Sequence, residues 1–422
     1  MNVSGMKTMS TTKIFDSVVT GGGPAGLFAA YNIAKNGFSV LLCEKNDRCG
    51  KKLDITGKGR CNMTNMCTLD EFLSSVPENP RFLYAALNNF SPDDTVDFFE
   101  SEGVKTKLER GKRIFPVSDR AHDVTEALVN ACKKAGVIFK QGKITQILTE
   151  NGRVCGVMSG NEKISCRSVI LATGGASYPK TGSDGKSYTL ATSLGHTLVP
   201  VSPSLVPLVS PDAFCRECMG LSLKNVNMTF KTESGKKVYS EQGEMMFTHF
   251  GVTGPVILSA SAYLTKEFPC TMYIDMKPAL DEQTLNRRMT RDFSENINRE
   301  FKNGFSALLP SKMTEPFVRL TGIDPDLKLN SLKKEQRLSC VRLMKAIPVK
   351  ITGTRPIAEA IVTKGGISCR EINPKTMESK IVHNLYFAGE TIDVDACTGG
   401  FNLQIAFSTA FSAAKGICEN LC

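Results

Sequence analysis

A short apolar run at residues 14–19 breaks into Gly21-Gly22-Gly23-Pro24-Ala25-Gly26, and an Ala-rich stretch follows at 27–35. A second apolar run, 39–43, ends on Glu44. Strand, glycine turn, helix, strand and acid in that order predict a βαβ unit built for a dinucleotide. Gly21 allows the tight turn, Gly23 lets backbone approach a pyrophosphate, and Gly26 lets the helix pack close to the strand. The helix start at Pro24 and Ala25 turns free N–H groups and a positive dipole end toward the phosphates. Glu44 is placed to accept hydrogen bonds from ribose hydroxyls.

Strands and helices continue to alternate up to about residue 200. A polar, Gly/Lys-rich loop at 49–65 precedes helical patterns at 80–89, 92–102 and 119–135. Strand patterns follow at 137–140, 144–148, 154–158 and 168–172, the last opening into Ala172-Thr173-Gly174-Gly175, a second strand-to-glycine turn. Beyond Val201 the texture changes. Pro203, Pro207 and Pro211 punctuate the entry, and alternating segments at 223–231, 237–239 and 271–276 predict a small antiparallel β unit. From 277 to 350 the pattern is helical, at 281–302, 312–320 and 331–344, broken by Pro310, Pro325 and Pro348. An apolar strand at 384–388 then runs into Gly389-Glu390. Gly399-Gly400 opens a terminal helix whose apolar positions, from Leu403 to Ile417, form a wide stripe. The predicted fold class is α/β. A Rossmann-like dinucleotide domain built from 1–200 and 351–422 is interrupted by a β-rich unit at 201–276 and a helical unit at 277–350.

Composition narrows the class. The chain has 422 residues, 41% hydrophobic and 22% charged, as a globular protein of two or three domains would. No apolar stretch approaches the ~18 residues of a membrane span. Residues 1–13 are polar and lack the apolar centre of a secretory leader. Fifteen cysteines then point to a reducing cytoplasm rather than to a disulfide framework. The net charge is +10, and residues 277–350 hold 15 Lys/Arg against 9 Asp/Glu. That stretch is either a solvated helical surface or a face for a polyanion such as RNA. Cys215 and Cys218 have the spacing of a redox pair but lie in the insert, away from the glycine fingerprint. No second pair or histidine partner stands at metal-ligand spacing, so no metal is expected.

Three later features favour FAD over NAD. The strand into Gly389-Glu390 resembles the second flavin motif of large FAD enzymes, where the acid accepts hydrogen bonds from the ribityl chain. Gly400-Phe401-Asn402 opens a helix whose N–H groups suit the flavin pyrimidine ring, which becomes anionic on reduction. The turn at Ala172, Thr173 and Gly174 fits backbone lying close to the adenine or pyrophosphate side. No second GxGxxG stands in a βαβ context, so NAD(P)H, if it is the donor, binds only transiently.

Longer signatures extend the pattern. They are Lys51-Lys52-Leu53 with Gly57-Lys58-Gly59-Arg60-Cys61-Asn62-Met63-Thr64-Asn65, TGGASYPKTGS at 173–183, GEMMFTHFGVTGP at 243–255, and YFAGE at 386–390 with DVD at 393–395. Together they resemble the bacterial flavoprotein family called BaiN/RdsA-type or aminoacetone-oxidase-like, nearly end to end. Thr20 departs from the usual aliphatic residue before the glycines, and Cys397 stands where a small polar or acidic residue is common. The resemblance implies an FAD domain interrupted by a β-barrel-like and a helical unit. It also implies an oxidoreductase that reduces conjugated C=C bonds with NAD(P)H. Substrate classes it implies are steroid-like enones and a uridine of large-subunit ribosomal RNA.

In such a reaction hydride passes from flavin N5 to the electron-poor carbon, and a general acid protonates its neighbour. Candidate catalytic residues are Cys61, as a thiol acid with pKa near ~8.5, His249 and Tyr178. Candidate cofactor contacts, beyond the glycine turns, Glu44 and Glu390, are Lys45, Lys52, Arg60, Asn62 and Thr64. Two alternatives stay open: an amine or hydroxyl oxidase that passes electrons to O₂, and an RNA-binding assembly factor that keeps FAD as a structural ligand.

Overall fold

The structure is a computed structural model that describes residues 14–422; the expectation that 1–13 carry no leader lies outside the described residues. Strand β1, Phe15–Thr20, is buried over its last four residues, and helix α1, Pro24–Lys35, returns the chain to β2, Val40–Glu44. β1 pairs parallel with β2 on one side and with the strand Glu162–Leu171 on the other. Ile138–Gln141 extends the parallel sheet beyond β2, and Leu385–Phe387 extends it beyond Glu162–Leu171. The last pairing stitches the two ends of the chain into one sheet.

This register decides where chemistry can occur. All five parallel strands point the same way, so Gly21, Glu44, Ala172 and Gly389 emerge at one edge, the carboxyl edge at which open α/β sheets bind ligands. Ile144–Glu150, Arg153–Ser159 and the first half of Glu162–Leu171 form an antiparallel meander on the same sheet. α1 is buried on nearly every side because it packs against both the helix Ala121–Lys134 and the terminal helix Phe401–Leu421. Phe28 meets Phe90, Phe98 and Phe407 there, with ring centroids 4.8 to 5.4 Å apart. Thr20 fits this core because its hydroxyl donates to the Ile170 carbonyl at 3.1 Å.

Contacts divide the chain into two compact units, 1–201 with 362–422, and 202–361. Residues 351–361, expected with the terminal segments, belong to the second unit. In that unit an antiparallel sheet runs in the order 347–351, 270–275, 222–232, 237–248, 251–253, 208–209, 353–354. Its outermost strands are consecutive in the chain, so the sheet curls back on itself. Helices Glu282–Ser294, Ser311–Thr321 and Lys334–Lys345 share one core with it, through Phe230, Phe247, Met289, Phe317 and Met344. The β-rich and helical stretches are therefore one packed body rather than two. Its helix Pro255–Leu264 was not anticipated from the pattern. All fifteen cysteines are free thiols, and among the described residues no helix is long and apolar enough to cross a membrane.

Candidate active site

The glycine turn after β1 is built on close approach. A Cβ on Gly21 would lie 2.4 Å from the Ala172 carbonyl oxygen, and one on Gly26 would lie 1.8 Å from that of Gly21. A Cβ on Gly23 would meet nothing within 4 Å. Gly23 is also the N-cap of α1 and offers no side chain to the helix's first amides. The helix end thus opens onto clear space with its N–H groups directed outward, which is what a pyrophosphate requires. Glu44 braces the turn: Oε2 accepts from Gly22 N–H at 2.6 Å and Oε1 from Asn46 N–H at 2.8 Å. A cavity of about 410 Å³ opens beside it, lined also by Asn46, Cys49, Thr125 and Gln141.

The second junction brings distant segments together. Lys52, on the short helix Lys51–Asp54, donates to Glu390 Oε2 and to Ser177 Oγ, both at 2.6 Å. Glu390 Oε1 accepts from Thr363 N–H at 2.8 Å and Ser177 Oγ at 2.9 Å. Burial works against a charge on Glu390, but the Lys52 ammonium and these hydrogen bonds outweigh it and hold the carboxyl below its usual range. A Cβ on Gly389 would press on Ala25 Cβ at 2.9 Å, so this turn seats on α1.

The third junction is the start of the terminal helix. Gly400, its N-cap, has φ +100°, and a Cβ there would lie 2.4 Å from the Thr64 carbonyl oxygen and 2.8 Å from Asn62 Oδ1. Among the described residues Asn62 Oδ1 and Ser183 Oγ are buried without a hydrogen-bond partner. A buried acceptor beside uncapped helix N–H groups suits a ring edge with an N–H between carbonyls, as the flavin pyrimidine has. Gly174, at φ +73°, brings Ser183 Oγ within 2.9 Å of where its Cβ would sit. The glycine turns, Glu44, Glu390, Asn62 and Ser183 together fit FAD.

Several expected contacts are otherwise engaged. Arg60 gives its guanidinium to Glu109 and Asp119 and lies 4.3 Å over the Phe115 ring. Thr64 Oγ1 donates to buried Gln404 at 2.6 Å. Phe401 packs edge-on against Phe72, and Asn402 ties down the chain at Ala396 through both ends of its amide. Thr64 and Phe401 are buried in the core, whereas Arg60 stays partly exposed in its ion pairs. Lys45 pairs with Asp184 at 3.1 Å, while Asn46 holds the Thr181 carbonyl, fixing the 179–185 turn near Glu44.

The three catalytic candidates sit in different surroundings. Cys61 is fully buried, and burial pushes its thiol up to about 12, so the acidity of an ordinary thiol is lost. Tyr178 is half-buried, in the left-handed region at φ 53°, within the turn that carries Ser177. His249 is exposed at the turn between strands Lys237–Thr248 and Gly251–Thr253 of the second unit, edge-on to Phe250. Cys215 and Cys218 are both buried, with thiols pushed up to about 11. Among the described residues no group of three His, Cys, Asp or Glu could hold a metal. Ser177 and Thr363 were missed as site residues. Ser177 lay inside a quoted motif, whereas no local signal marked Thr363.

The family model for the HI0933-like protein Rossmann domain matches residues 15–416. The chain belongs to the HI0933-like family. It is accordingly an FAD-dependent oxidoreductase. Among similar proteins is the ribosomal RNA dihydrouridine synthase of Escherichia coli, 29% identical and covering 96% of this chain and 98% of its own. The protein of that name in Haemophilus influenzae is 30% identical, covering 95% and 98%. The 3-dehydro-bile acid delta(4,6)-reductase of Clostridium scindens is 29% identical, again covering 95% and 98%. In fold, this HI0933-like chain resembles 3-ketosteroid delta1-dehydrogenase of Sterolibacterium denitrificans, with TM-score 0.54 and 14% identity over 97% of this chain and all of that one.

Proposed function

We propose that the chain reduces a conjugated C=C bond with NAD(P)H as electron donor, and that its substrate is a uridine of large-subunit ribosomal RNA, in a cytoplasmic setting. The observation that carries the redox reading is the Gly400 helix end beside Asn62. Uncapped N–H groups there favour negative charge on a bound pyrimidine ring. Both named chemistries among the relatives saturate a double bond conjugated to a carbonyl. Charge favours RNA over a small enone. Arg287, Lys333, Lys334, Arg342 and Lys350 of the second unit are exposed, and among the described residues none makes an ion pair. Such a group suits a phosphate backbone.

Bound FAD supplies the electron pair. The first turn of α1 would hold the pyrophosphate, Glu44 the ribose and Glu390 the ribityl chain, and the Gly400 helix end would favour negative charge on the ring. Tyr178 and His249 stand as proposed proton donors. Cys61 does not, so Cys61→Ala is expected to leave substrate-driven flavin reoxidation within about twofold of wild type, measured apart from the reductive half-reaction. A larger loss would restore the thiol as the acid.

Anaerobic NADH or NADPH is expected to bleach the bound flavin's visible absorption, and ribosomal RNA from a deletion strain is expected to lose a dihydrouridine by nucleoside mass analysis. Bleaching by an amine with peroxide release would favour the oxidase. No bleaching by any donor, with tight RNA binding, would favour the assembly factor. An unchanged dihydrouridine content in a strain whose enzyme still accepts NAD(P)H electrons would move the substrate to a small enone.

A further inference from the structure

Glu390 is held by residues from three separate stretches of chain. Ser177 accepts from Lys52 and donates to Glu390, closing a triangle with the Lys52–Glu390 ion pair. Thr363 fixes the turn beneath it: Oγ1 accepts from Ala176 N–H at 2.7 Å and Ser177 N–H at 3.0 Å, while its own N–H donates to Glu390. Gly175 permits this crowding, since a Cβ there would lie 2.3 Å from Thr363 Oγ1 and 2.8 Å from Glu390 Oε1. The short helix bearing Lys52 is tied to the dinucleotide turn, because Gly50 N–H donates to the Gly22 carbonyl at 2.9 Å. Oε1 is therefore filled by two donors. Oε2, with one, is the oxygen with acceptor capacity left.

We propose that Lys52 is a positioning residue for FAD: with Ser177 and Thr363 it locks the Glu390 carboxylate in one orientation, leaving Oε2 to accept a single hydroxyl of the ribityl chain. A lysine serving as a phosphate contact would be expected to point away from other anions. This one is committed to a partly sheltered ion pair, with side-chain exposures of 22% and 19%. Without Lys52 the carboxylate keeps its desolvation cost and loses its counter-charge, so it rotates or takes up a proton. The proposal rests on the reading of Glu390 as the ribityl contact, and not on the substrate.

A double-mutant cycle on FAD affinity, read by titrating apoprotein with FAD and following fluorescence, separates the two roles. Lys52→Met is expected to weaken FAD about 30-fold in the native background and less than about threefold in a Glu390→Gln background, with Lys52→Arg within about threefold of wild type. Thermal melts of the apoproteins report whether each variant folds. If Lys52→Met does not fold, Ser177→Ala and Lys52→Gln carry the same cycle. Additive losses would make Lys52 an independent phosphate contact and overturn the proposal, as would failure of Lys52→Arg to rescue. Glu390→Gln binding FAD like wild type would overturn the ribityl reading itself, a result distinct from additivity.

Discussion

Replacing Gly26 with alanine is expected to cost the protein both its flavin and much of its stability. The new methyl would sit 1.8 Å from the Gly21 carbonyl oxygen and 3.4 Å from Ala172 Cβ. Relief requires α1 to move off the sheet, and α1 has nowhere to go. Leu27, Phe28, Ala29, Ala30 and Ile33 are each 0 or 1% exposed, wedged between the sheet, the helix Ala121–Lys134 and the terminal helix. Overpacking a well-packed core costs about 1–3 kcal/mol, and the fixed surroundings of α1 put this site at the upper end. A loss near 3 kcal/mol corresponds to a melting temperature lower by about 6–12 °C for a unit of this size. The distortion also falls on the turn that must admit a pyrophosphate. The purified variant should be colourless and should melt early by circular dichroism. A yellow protein melting within about 2 °C of wild type would mean that the helix–strand contact is not what the glycine is for.

Gly400→Ala should separate binding from folding. At φ +100° an alanine enters a region that L-residues rarely adopt, and its Cβ would press on the Thr64 carbonyl group at 2.4 and 2.5 Å. The terminal helix itself is anchored far along its length, where Ile405, Phe407, Ala410, Ala413 and Ile417 are buried. The helix should therefore stay docked while its first turn and the Asn62 loop shift apart. Strain of order 3 kcal/mol confined to the cofactor's ring end predicts FAD bound about a hundredfold more weakly by a protein that still melts near the wild-type temperature. Equal FAD affinity in the two proteins would remove this helix end from the flavin site.

The two substitutions differ in how readily the sequence announces them. Gly21, Gly23 and Gly26 were legible because their spacing, between a strand and an apolar helix, is itself the geometric demand. Gly389 and Gly400 were legible for the same reason, each at the mouth of an element. The strand at 385–387 and the terminal helix were also read correctly in kind. Arg60, Thr64, Phe401 and Asn402 stand in the loops that the pattern marks, but what each side chain meets there is not a local property. Arg60 finds Glu109 and Asp119, and Asn402 finds Ala396, through contacts that residue type alone does not encode. Cys61 shows the same limit, because its thiol chemistry is set by burial that a polar, Gly/Lys-rich loop pattern does not announce.

By itself the sequence determined glycine turns, following parallel strands, that fit a dinucleotide, because backbone conformation and close approach are fixed by residue type within a few positions. Only the tertiary structure decided what surrounds the acid at the second turn. Lys52, Ser177 and Thr363 reach Glu390 from 338, 213 and 27 positions away along the chain. Their meeting depends on sheet register and on Gly175, whose missing side chain leaves room for those of Thr363 and Glu390. Partners that far apart are chosen by packing, which no short window of sequence contains.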